Sequence, residues 1–122
     1  MRVFRTKWFV KFASREGIGD AALLEAIIRL ERGLVDADLG GGIINQRIAR
    51  PGRGKSGGLR ALIAVKAGKH AVFVFGFAKS GQDNIGNADL ARLKSAAKIM
   101  LAYDDADLDL AVNQRKLTEV GR

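Results

Sequence analysis

The sequence predicts an α+β fold, a small, mostly antiparallel β-sheet packed by an N-terminal helix pair and a C-terminal helix, in the order β-α-α-β-β-β-α. Three observations carry this expectation. Two amphipathic stretches with helical spacing follow a short apolar start. A central run alternates Ile-, Val- and Phe-rich segments with glycine clusters, and helical spacing returns after residue 87. Helix pairs and strand runs grouped in this way stack as helices on a sheet.

Residues 2–5 suit a short strand. Thr6 is placed to cap a helix whose apolar face holds Trp8, Phe9 and Phe12, with Gly17 as its stop. Asp20 is expected to cap a stronger helix. Leu23, Ile27, Leu30 and Leu34 form its stripe, Leu24 and Ile28 widen it, and Gly33 should end it. Residues 43–49, 59–66 and 71–77 read as sheet strands, the last two joined by a hairpin turn at Ala67-Gly68-Lys69-His70. His70 reads as a solvated turn residue. Asn87 is the expected cap of a helix with Leu90, Leu93, Ala97, Met100 and Leu101 on its inner face. Asp104, Asp105, Asp107 and Asp109 suit a short helix start, because carboxylates favour helix N-termini. Residues 116–120 suit a last short strand. No repeat or linker interrupts 1–122, which reads as a single domain.

Composition excludes several classes. A hydrophobic fraction of 48% rules out a disordered basic tail. With no Cys there is no disulfide framework or zinc knuckle, and one His cannot build a His-based metal cage. No apolar run reaches a membrane span, and no signal-peptide stretch opens the chain, so a cytoplasmic location is expected. The formal charge of +8 is not spread evenly. Residues 1–38 carry 7 basic and 6 acidic side chains, and residues 83–122 carry 6 and 7. Residues 39–82 carry 8 basic and no acidic ones, with 10 of the 15 glycines. Cations and glycines without carboxylates suit a surface that meets phosphates.

The basic segment peaks in a run from Arg47 to Arg60 that also holds Arg50, Arg53 and Lys55 among four glycines and Pro51. Such a loop can set backbone N–H groups and guanidinium forks against phosphate oxygens. Its spacing does not match a P-loop. A two-residue hairpin turn centred on Gly68-Lys69 would pair Lys66 with Ala71, Leu62 with Phe75 and Arg60 with Phe77. Arg60, Leu62 and Ala64 would then share a face with Phe73, Phe75 and Phe77, and Lys79 would continue that row. A three-residue turn would reverse this parity. Cations around an aromatic ring suit an unstacked RNA base with a clamped phosphate. Phe77, at the strand end, is the candidate stacking ring, while Phe73 and Phe75 read as core. Asp83 reads as a turn or helix-entry residue. RNA cleavage in this segment would run on Lys and Arg, since neighbouring cations lower a lysine pKa and arginines stabilise phosphorane charge.

The chain also resembles the RelE-like toxins of bacterial type II toxin–antitoxin systems, in the RelE/ParE superfamily and close to the HigB-type branch. The resemblance rests on Phe4-Arg5-Thr6-Lys7-Trp8-Phe9, on the Glu31-Arg32-Gly33-Leu34 stretch running to Gly42, on Arg50-Pro51-Gly52-Arg53-Gly54-Lys55 through Gly58-Leu59-Arg60, and on Phe75-Gly76-Phe77-Ala78-Lys79-Ser80 with Asp83-Asn84-Ile85. It implies a small α+β toxin that cleaves mRNA at the ribosome without metal or other cofactor, the RNA 2′-hydroxyl attacking the adjacent phosphate. It also implies a cognate antitoxin, often of helix-turn-helix type. Carried over, Arg60 corresponds to the phosphate clamp, Arg47, Arg50, Arg53 and Lys55 to the basic strand and loop, and Lys79 to the basic position after the next strand. Lys79 or Lys55 would act as base or acid. The pattern departs at Leu59, where the family commonly has an aromatic residue, and at Gly81 and Gln82, where it has charges. The one tyrosine, Tyr103, lies late in the chain. The superfamily also implies an alternative, a non-enzymatic inhibitor or RNA-binding module like the gyrase-targeting ParE branch.

Overall fold

The computed structural model describes residues 1–49, 58–78 and 85–121. Among them, six strands build one sheet: β1 (Arg2–Thr6), β2 (Ala37–Gly40), β3 (Ile43–Ile48), β4 (Leu59–Lys66), β5 (His70–Ala78) and β6 (Leu117–Val120). The strand order is β2-β3-β4-β5-β1-β6. Only the β1–β5 pairing is parallel among these ladders. The helices are α1 (Lys7–Glu16), α2 (Asp20–Glu31), α3 (Asn87–Leu101) and α4 (Asp105–Asn113). The fold is therefore α+β with a mostly antiparallel sheet.

The sheet is covered on both faces. Phe9 and Phe12 of α1 and Leu23 and Ile27 of α2 pack with Leu59, Ile63 and Phe73 on one side. Ala97 of α3 and Leu108 and Ala111 of α4 pack with Phe4, Leu62 and Val72 on the other. This explains why β4 reads as a continuous apolar run, with Ala61, Leu62, Ile63 and Ala64 all inaccessible, where a one-sided sheet would alternate.

Local signals succeed where a side chain acts on its own backbone. Thr6 caps α1, its hydroxyl accepting from the Phe9 N–H at 3.2 Å, and Gly17 closes that helix at φ 70°. Asp104 and Asp107 form a reciprocal capping box at 2.8 and 3.0 Å. Two expected caps are corrected. Gly19 and Gly86 occupy the cap positions of α2 and α3, neither with a side-chain bond. Asp20 is instead the first helical residue and pairs with Arg5 at 3.1 Å. Because α2 stops at Glu31, Leu34 leaves the expected stripe and is 59% exposed.

The strand β2 was absent from the expected order. Its four residues are mostly exposed and lack alternation, so no local pattern announces them. A Gly41-Gly42 turn with φ 62° and 79° joins it to β3, the two-residue geometry that needs left-handed backbone at both centres. Gln46 of β3, fully buried, locks the approach to β2. Its amide donates to Ala26 O at 3.2 Å and Leu34 O at 2.9 Å, and its carbonyl accepts from Asp36 N at 3.0 Å. Gln46→Ala would strand these groups and is expected to cost about 2 kcal/mol, read as a lower midpoint in urea unfolding.

Candidate nucleic-acid interface

The turn between β4 and β5 has three residues, Ala67, Gly68 and Lys69, and pairs Lys66 with His70 in place of Ala71. His70 is thereby drawn into the strand, correcting its assignment as a solvated turn residue. It is 2% exposed and its Nε2 donates to the Met100 carbonyl at 2.8 Å. The turn would have reversed the parity of the two strands, but a bulge between Leu62 and Ile63 restores it. Above the bulge Leu62 faces Phe75 and Arg60 faces Phe77, as the sequence reading expects. Below it Phe73 pairs with Ile63 and turns to the α1 side, so it leaves the expected row, and Ala64 pairs with Val72.

One strand further out, Arg47 of β3 lies opposite Arg60. Cross-strand partners share a face, so Arg47, Arg60 and Phe77 form one row across three strands, on the α3 side of the sheet. Arg60 is half-buried and makes no ion pair with any described residue. Arg47 is held through its backbone. Its N–H donates to Asp36 at 2.7 Å, and Arg29 of α2 donates to its carbonyl. Its guanidinium, with the side chain 47% exposed, stands 3.7 Å from the Asp36 carboxylate. The strand floor thus carries two arginines in register on one face, one of them without a counter-charge among the described residues.

The aromatic part of the site differs in detail from the expectation. Phe77 sits beside Arg60 but is 5% exposed, so little of its ring faces solvent. Phe75 lies 6.3 Å from Phe77 and is half-buried, and Trp8 stacks on it at 4.5 Å and 22°. Trp8 is 43% exposed and carries the accessible ring surface of this row. Helical spacing had put Trp8 on the core face of α1. It escapes because β1 ends at Thr6, which leaves the last residues of β5 beyond Phe73 without a β1 neighbour and lets the indole close over Phe75. The remaining sequence candidates, Arg50, Arg53, Lys55 and Lys79, and Asp83, lie outside the described residues.

The opposite end of the sheet is different in character. A concavity of about 630 Å³ there is lined by Arg2, Lys69, His70, Tyr103, Asp104 and Asp105, a mixture of both signs. Arg2 is bound there by Glu119, Asp109 and Asp105 at 2.8–3.2 Å, which hold its guanidinium protonated even more firmly than usual. Its charge is spent on structure. No group of three His, Cys, Asp or Glu side chains suited to a metal ion occurs among the described residues.

A helix-covered sheet that sets Arg47 and Arg60 in register on one face, beside an exposed indole, defines a small α+β protein with a basic, aromatic-edged strand face. Its sequence matches the RelE toxin of the RelE/RelB toxin–antitoxin system over residues 1–120, and the chain belongs to that toxin family. No curated protein matches it. No helix among the described residues is long and apolar enough to cross a membrane.

Proposed function

We propose that this toxin is a metal-independent endoribonuclease that cuts mRNA on the ribosome and so stops translation in the cytoplasm. The observation that carries this reading is the Arg47–Arg60 pair on the strand floor, with Arg60 free of ion pairs among the described residues. A phosphodiester laid on the row receives two cationic forks. The RNA 2′-oxygen forms a bond to phosphorus while the bond to the 5′-oxygen breaks, leaving a cyclic phosphate and a 5′-hydroxyl. Arg60 stabilises the added negative charge on the phosphorane, and Arg47, Arg50 and Arg53 orient the strand. Lys79 or Lys55 accepts the 2′-hydroxyl proton and returns a proton to the leaving oxygen. Phe77 backs the row, and the Trp8–Phe75 stack offers a base its platform. Neutralisation by the cognate antitoxin follows from family membership, and a helix-turn-helix antitoxin is part of this proposal.

Primer extension on ribosome-bound mRNA tests the reading. Sharp toxin-dependent breaks are the expected result. Intact mRNA in a growth-arrested cell would overturn it, and loss of gyrase supercoiling activity in the same cells would place the chain with the gyrase-targeting alternative.

A further inference from the structure

We infer that the groove between α3 and the β2–β3 hairpin is a second RNA subsite, a phosphate notch at Gly41, Lys94 and Lys98 joined to the Arg47–Arg60 row by a floor holding Asn45. This inference rests on the RNA-cleaving reading and extends the strand beyond the scissile phosphate. Ile43, Asn45 and Arg47 alternate onto one face of β3 and lie opposite Ala64, Leu62 and Arg60. That face is the α3 side, since Ile43, Leu62 and Ala64 share a cluster with Ala97, Leu93 and Leu101. Arg47 and the glycine turn therefore mark two ends of one surface, about 13 Å apart over four strand residues. A few nucleotides of single strand cover that distance.

The notch is built from the absence of side chains. A Cβ on Gly41 would lie 3.1 Å from Lys94 Cγ, and one on Gly40 would lie 3.5 Å from Lys94 Nζ. The bare turn thus lets the lysine lie across it with its ammonium at the backbone. Lys98 stands one helical turn on, and Lys94, Ser95, Lys98, Gly41 and Leu101 line a groove of about 450 Å³ with no carboxylate in its wall. Like charges at this spacing repel, and neither lysine is paired among the described residues, whereas Arg92 on the same helix has Asp89 at 3.3 Å. A phosphate between the two ammonium groups removes that repulsion.

Asn45 supplies the independent observation. It is 8% exposed, and its Oδ1 has no donor among the described residues. Buried acceptors are almost always satisfied. It lies on the β3 face between Arg47 and the glycine turn, beneath the surface, so a base amino group or ribose hydroxyl of a threaded nucleotide supplies the missing hydrogen once the side chains over it part.

The experiment uses uncleavable 2′-O-methyl RNA, as a dinucleotide and as a longer oligonucleotide, with the full chain. The wild type should bind the longer RNA more tightly. Lys94→Gln/Lys98→Gln should erase that advantage, leave dinucleotide affinity unchanged, and lower the slope of log K against log salt by about 0.7 per lost contact. Asn45→Leu should raise the melting temperature, because it removes an unsatisfied group, while flattening the preference among oligonucleotides of different sequence. Unchanged length dependence and salt slope in the double lysine variant overturn the subsite, and unchanged sequence preference in Asn45→Leu overturns the role of Asn45. If the wild type binds neither RNA, the subsite falls, while the RNA-cleaving reading stands or falls separately by primer extension on ribosome-bound mRNA.

Discussion

Arg60→Ala is expected to relieve the growth arrest and to lower the rate of RNA cleavage by about 10²–10³-fold, the usual cost of removing one donor that stabilises developing charge. The fold should survive. Arg60 is flanked by the fully buried Leu59 and Ala61, which hold β4 in place whatever stands between them. Its guanidinium makes no ion pair with a described residue, so truncation strands no described counter-charge, and with the half-buried stem lost the stability change should be about 1 kcal/mol. Arg60→Lys should fall between the two, because an ammonium keeps the charge and loses the two-pronged fork. Single-turnover cleavage together with thermal melting checks both halves. A folded Arg60→Ala protein that still arrests growth would remove Arg60 from the chemistry.

Gly76→Val should destabilise the protein by about 3 kcal/mol, the cost of forcing atoms into a full core. Gly76 lies in β5 between Phe75 and Phe77, on the face opposite their rings. A Cβ there would come within 2.4 Å of Phe12 Cε2 and 2.9 Å of its Cζ. Phe12 cannot swing aside, since it is packed against Phe9 at 5.6 Å and Trp8 at 5.5 Å. The melting temperature should drop by about 10 °C. The helix should also lift at Trp8, so the stacking surface on Phe75 is lost along with stability. Combining Gly76→Val with Phe12→Ala should cost less than the sum of the two single changes, because the truncated ring makes room. Strict additivity in that cycle would show that the clash is relieved elsewhere.

The candidate site was partly legible for a reason that the bulge makes clear. The pairing of Arg60 with Phe77 was reached from an assumed two-residue turn, and the actual three-residue turn should have defeated it. The bulge between Leu62 and Ile63 cancels the extra residue, so the upper half of the hairpin agrees with the expectation and the lower half does not. No local pattern reveals such a bulge, since the segment is apolar on both faces and either register buries it equally well. Asn45 and Trp8 were passed over for a related reason. A single amide in a strand and an indole on a helical stripe acquire meaning only from what fails to cover them.

What the sequence determined by itself was the set of elements governed by short-range chemistry and the location of the charge. Thr6 and Asp104 cap their own helices, Gly17 stops the first of them, and the eight cations between residues 39 and 82 define one basic segment without any partner strand being known. Only the tertiary structure decided that β1 enters the sheet parallel to β5, that β2 exists as an edge, and that His70 is buried. It also decided which face Arg47 and Arg60 share with α3. Those outcomes depend on pairings between residues distant in the chain, where the free energy comes from burying two faces of the sheet at once. Capping needs only neighbours, whereas a shared face needs the whole sheet.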